Sequence, residues 1–188
     1  QKMLDFLQQS KEEIKDPQRA QKIREVESAF GEYDNAFSQV LNFKDQRNQV
    51  VYEVLDVRGP FMEKTLTNIM ESAEQDRDAS AAFQAGQAMK HLLLGRLYVA
   101  KYLDTNASGA MDRVRAEFDK MQELLVVLDR ELQNPQRRQW LAQVQSAKGE
   151  YVQAFERLVT IITQRNQIIG NTLDRIGPEI AAHVEDVK

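Results

Sequence analysis

From Val144 to Ile180 the apolar side chains recur at intervals of three and four residues: Val144, Tyr151, Phe155, Leu158, Ile162, Ile169, Leu173, Ile176 and Ile180. Lys148 and Arg165 occupy the two remaining seam positions. A seam of this kind marks a long helix that packs on its neighbours at a shallow angle. Asp16-Pro17 and Asn134-Pro135 each pair an N-cap with proline at the first helical position, and so read as hairpin tips. The polar run Glu74 to Ser80 reads as the opposite turn, and Asp104 to Gly109 interrupts the helix after it. Helices are therefore predicted at about 1–15, 17–74, 80–104, 108–133 and 135–187. At 1.5 Å per residue the second and last each span roughly 80 Å. Gly59-Pro60 and Gly177-Pro178 lie inside them; apolar spacing resumes beyond both, so a kink is expected rather than an end.

The chain also repeats itself. A shift of 118 positions carries Tyr33 onto Tyr151, Phe37 onto Phe155, Arg47-Asn48-Gln49 onto Arg165-Asn166-Gln167, and Gly59-Pro60 onto Gly177-Pro178. Between residues 2–60 and 120–178 about two-fifths of the positions are identical without a gap. Two copies of one supersecondary unit sharing a core are implied. The run from Gly86 to Asp119 has no counterpart ahead of Gln1, so the first leg reads as truncated and the chain as cut from a longer protein. The predicted fold is all-α: a single elongated domain over 1–188, an antiparallel up-down four-helix bundle made from a duplicated hairpin.

Composition narrows the partners. Eight Gly and four Pro are few for 188 residues, which supports helix nearly throughout. A net charge of −4 with interspersed signs offers no basic stripe, so nucleic acid is not an expected partner. The lack of Cys removes disulfides and thiol chemistry but fits a reducing cytosol and a periplasm alike. No apolar run approaches the roughly 20 residues of a membrane span, so any anchor is expected outside the sequence.

Three arginines stand on apolar seams. Arg165 has Ile161, Ile162, Ile168 and Ile169 around it, its repeat mate Arg47 has Phe43, Lys44, Val50 and Val51, and Arg96 has Leu92, Leu93, Val99 and Ala100. A guanidinium stays charged, so each is expected to point inward and meet an anion. Counted from the tips, Arg47, Arg165 and the break at Asp104-Thr105 fall at one level. Two readings stand: an ion pair between Asp104 and an arginine, or a carboxylate ligand held between arginines, with Thr163, Gln164, Asn166 and amides freed by the broken helix assisting.

The run Leu92 to Leu103 with its polar break, Met111 to Leu132, the Asn134-Pro135 tip and Tyr151 to Leu173 together resemble the extracytoplasmic ligand-binding domain of bacterial methyl-accepting chemotaxis proteins. The chain is most similar to the four-helix and helical bimodular sensors. The resemblance implies flanking membrane helices outside the chain, an inner-membrane receptor with this part periplasmic, a homodimer, and a small organic acid bound between helices. Family pockets use arginines with Thr or Gln on facing helices, and Arg96, Arg157, Thr163 and Arg165 are the residues that match by position. The resemblance also implies a helix shift of an angstrom or two passing toward the membrane past Gly177-Pro178.

Enzymatic readings find no support in the sequence. His91 and His183 stand apart, and no di-iron ligand set, HExxH, nucleophile elbow or phosphate loop occurs, so no metal, cofactor or catalytic residue is expected. Tyr33, Tyr151 and Trp140 read as core, and Lys44 and Lys148 as snorkelling residues. The alternatives are the sensor domain of a transmembrane histidine kinase and a structural helical spacer.

Overall fold

The computed structural model describes residues 7–10 and 14–187, the side chains of 184–187 excepted. Among these residues every regular element is helical. A short helical stretch at 7–10 is followed by α1 (Pro17–Gln49), a π-helical turn (Val50–Leu55), α2 (Asp56–Gln75), α3 (Ala79–Thr105), α4 (Ser108–Glu131), α5 (Pro135–Ile168), a second π-helical turn (Ile169–Leu173) and α6 (Asp174–Val187). Ile14 and Lys15 are not helical, so the predicted first helix stops short, and much of it lies outside the described residues.

The predicted caps form. Asp16 Oδ1 accepts from Arg19 N at 2.9 Å, and Asn134 Oδ1 accepts from Gln136 N at 3.0 Å and Arg137 N at 3.1 Å. Asp78 opens α3 by accepting from Ala81 N at 3.1 Å. Both long helices continue through their Gly-Pro dipeptides, and each carries its π turn just before them. Asp56 N–H reaches Val51 O and Asp174 N–H reaches Ile169 O, each five residues back and each pair a repeat mate of the other. The duplication therefore extends to a backbone irregularity that helix propensity alone does not predict.

The chain divides into two compact units, Gln1–Gln46 with Ile161–Lys188, and Arg47–Thr160. In the first, Leu7, Ile23, Val26, Ile176 and Ile180 form a buried cluster, with Ile14, Ala29, Phe30 and Tyr33 packed on it. In the second, four helical segments supply one core: Met62, Leu66 and Ile69 of α2, Leu92 of α3, Met121, Leu125 and Leu128 of α4, and Leu141, Phe155 and Leu158 of α5. Burying each such side chain is worth about 1.5–3 kcal/mol. Phe118 meets Tyr151 and Tyr102 meets Phe155 at ring-centroid distances of 5.1 and 5.6 Å, tying α5 to α4 and α3.

Close approach of α3 and α4 depends on Gly95, where a Cβ would stand 2.7 Å from the Phe118 ring. Gly95→Ala is expected to cost roughly 1–3 kcal/mol through overpacking. Gly149→Ala, with nothing within 4 Å, is expected to be neutral or to stabilise by about 0.5–1 kcal/mol. Denaturant unfolding of the two variants beside the parent chain checks this pair, and equal effects would contradict it.

Candidate functional site

In the second unit, the π turn and the start of α2 form one wall of a cavity of about 430 Å³, with Val51, Leu55 and Asp56 on that side and Arg96 and Leu103 of α3 and Tyr151 of α5 on the others. An i→i−5 turn holds one more residue than an α turn, and such turns recur at functional sites. Here it places two buried aliphatic side chains and, at its C-terminal end, the exposed carboxylate of Asp56.

Arg96 crosses α2 at Gly59. A Cβ at residue 59 would stand 2.8 Å from Nε, so any larger residue would push the guanidinium away. Nη1 donates to Glu63 Oε2 at 2.6 Å. The side chains of Arg96 and Glu63 remain 31 % and 47 % exposed, so water screens the pair. Tyr151 is buried, and burial pushes its hydroxyl up to about 12, Arg96 acting against that shift and Asp56 with it. At neutral pH the cavity thus holds one cation, one anion and a neutral phenol.

The other sequence-derived residues are distributed elsewhere. Arg47, half-buried in the second unit, donates from Nη1 to Asn48 Oδ1 at 2.9 Å. Arg165, half-buried in the first, donates from Nε and Nη2 to Asn166 Oδ1 at 3.1 and 2.8 Å. The repeated Arg-Asn dipeptide makes the same local bond in both copies. Thr163, Arg157 and Asp104 are exposed, and none of them lines the cavity of Arg96. The break before α4 holds its own amides: Asn106, in the left-handed region at φ 53°, donates to Tyr102 O at 2.8 Å, and Ala107 N donates to Thr105 Oγ1 at 3.2 Å. Near the second π turn, Phe43, Gln164, Gln167, Ile168, Asn171 and Thr172 line a cavity of about 350 Å³ in the first unit.

Among the described residues, the two most buried charged side chains are ones that the spacing argument did not single out. Glu117 of α4, 1 % exposed, lies 2.6 Å from His91 Nδ1 and accepts from Arg113 Nη2 at 2.6 Å. Burial raises its pKa, but the His91 hydrogen bond and the Arg113 charge outweigh it and leave the carboxyl below its ordinary value. An ionised carboxylate only accepts, so His91 Nδ1 carries the hydrogen. Arg137, 5 % exposed, donates from Nη2 to Asp76 Oδ2 at 3.0 Å and lies 3.6 Å from Asp78, clamping the α2–α3 turn to the start of α5. Both residues continue apolar spacings, Val114-Glu117-Met121 and Arg137-Leu141-Val144, the same signal that singled out Arg165. Among the described residues no three His, Asp or Glu side chains gather as a metal site would require.

A depressed carboxyl pKa contributes stability above the unfolded-state value of 4.5 and loses it as pH falls through the lower folded value. Glu117→Gln is therefore expected to lose roughly 1–3 kcal/mol at pH 7. Its stability should also fall less steeply than the parent's below about pH 4.5. Urea melts across pH 3–7 measure this, and parallel curves would rule out the assigned role.

No helix among the described residues is long and apolar enough to cross a membrane. Comparison with curated proteins and with solved structures returns no match. The family model for the helical bimodular sensor domain matches residues 1–187. That match accords with an all-α bundle and with a sensory rather than an enzymatic role. The chain belongs to the helical bimodular sensor domain family.

Proposed function

We propose that this is the ligand-sensing extracytoplasmic domain of a transmembrane chemotaxis receptor, built as an antiparallel up-down bundle that binds a carboxylate-bearing small molecule between helices. The observation that carries this reading is the Arg96 guanidinium on the wall of a largely aliphatic cavity beside the buried Tyr151 hydroxyl, in a chain of a sensor family. A cation on an apolar wall favours an anion over water. Nη1 is taken by Glu63, and the guanidinium carries further donors that a carboxylate can engage. In the first unit, Gln164 and Gln167 line the second cavity and offer further polar contacts for an acid. Ligand held between α3 and the π turn favours one axial offset of the long helix, and shifts of an angstrom or two suffice to signal.

Arg96→Ala is expected to weaken binding of any organic acid that the parent chain takes up by about tenfold or more, the usual scale for losing a charged hydrogen bond. Isothermal titration over a panel of organic acids and inorganic anions tests it, and unchanged affinity would displace the site from Arg96. The domain also works as a homodimer in this reading, supported by the exposed aromatic side chain of Phe83 on α3. Sedimentation analysis is expected to show a dimer that Phe83→Glu shifts toward monomer, and a monomeric parent chain at high concentration would refute it.

A further inference from the structure

Asp56 also lines the cavity of Arg96, and among the described residues it has no ion-pair partner. Arg96, the cation opposite, already holds Glu63 at 2.6 Å. The charged side chains that line the cavity therefore balance, Arg96 against Asp56, while Glu63, outside the lining, already draws on the guanidinium. A dicarboxylate would bring two negative charges to a guanidinium already sharing its charge, with a second carboxylate beside it. A plain monocarboxylate would satisfy Arg96 and leave Asp56 without a counter-charge. The rest of the lining, Val51, Leu55, Leu97 and Leu103 among it, is aliphatic and suits a hydrocarbon body. Specificity of this kind comes as much from the repelled ligand as from the accepted one.

We infer that the ligand of this cavity is a small zwitterion with an aliphatic side chain, its carboxylate on Arg96 and its ammonium group on Asp56, as in an aliphatic α-amino acid. The inference rests on the proposed sensing role and narrows its ligand class. Tyr151 fits the assignment because its neutral hydroxyl can donate to the carboxylate or accept from the ammonium group. The backbone also fits. Asp56 closes the π turn through its own N–H to Val51 O, so its position is fixed by the same irregularity that shapes the wall.

The test titrates the chain calorimetrically with four probes of similar size: leucine, 4-methylpentanoate, 3-methylbutylamine and glutarate. Leucine is expected to bind at least about tenfold more tightly than either singly charged analogue, and glutarate most weakly. Asp56→Asn is expected to erase the advantage of leucine over 4-methylpentanoate while leaving 4-methylpentanoate within about twofold to threefold. Arg96→Gln is expected to abolish binding of both. Far-ultraviolet circular dichroism confirms that the variants fold, and the probe series itself needs no variant. If 4-methylpentanoate or glutarate binds through Arg96 as tightly as leucine, or Asp56→Asn changes nothing, the zwitterion assignment is overturned while the acid-sensing reading stands. If none of the four probes binds, the zwitterion assignment is overturned and the acid panel decides the sensing reading; if binding survives Arg96→Gln, both are overturned.

Discussion

Arg96 can lie across α2 only because residue 59 carries no side chain, and the candidate site depends on that clearance. The glycine sets where the guanidinium rests, and Glu63, one turn further along α2, tethers its Nη1. With both side chains partly in water, the tether contributes at most about 1 kcal/mol. The balance suits a receptor: the cation is positioned by backbone shape at Gly59. Its resident partner is screened by water and held weakly enough for an incoming carboxylate to compete. Had Arg96 been buried as Arg137 is, between Asp76 and Asp78, its charge would be committed to the fold.

The duplication supplies the frame on which this happens. Leu55-Asp56 and Gly59-Pro60 recur as Leu173-Asp174 and Gly177-Pro178, each set following a π turn closed by the same backbone bond. In the first unit a Cβ at residue 177 would stand 3.6 Å from the ring of Tyr33. In the second, Gly59 faces Arg96 instead, and Tyr151, the repeat mate of Tyr33, lines the cavity that Arg96 shares. Arg96 sits on α3, outside the repeated segments. The candidate site therefore lies where a repeated glycine and π turn meet α3, whose Arg96 stands against Gly59 where the ring of Tyr33 stands against Gly177.

Helix positions, the tip caps and the two Gly-Pro passages were legible because each rests on local chemistry: seam spacing, an Asx side chain ahead of proline, or apolar recurrence beyond the ring. The π turns went unread, although they leave a trace. Along the second copy the seam alternates threes and fours until Arg165, Ile169 and Leu173, where two fours follow in succession at the observed π turn. Charged residues on a seam proved harder to interpret. Spacing fixes where a Cβ points but not where a long side chain ends. Arg47 and Arg165 therefore turn to the neighbouring asparagine, while the shorter Glu117 stays in the core because His91 and Arg113 reach it there. The cavity required tertiary structure, since Asp56, Arg96 and Tyr151 come from three helices and no spacing relates them.

Signalling by such a site needs an element with two arrangements, and the π turn qualifies. Its donors bond five residues back where an α turn bonds four, so moving the extra residue along the helix exchanges one acceptor for another and strands none. Proline bounds the movement: Pro60 has no N–H to donate to Asp56 O, so the irregularity cannot pass beyond it and is confined to the stretch that lines the cavity. A ligand gripping Arg96 and Asp56 touches both α3 and the C-terminal end of that stretch, and it shifts the equilibrium only by as much as it prefers one placement. With its other arm on α3, a zwitterion tied to Asp56 has a direct reason to prefer one, whereas an acid held by Arg96 alone would grip α3 without fixing the turn.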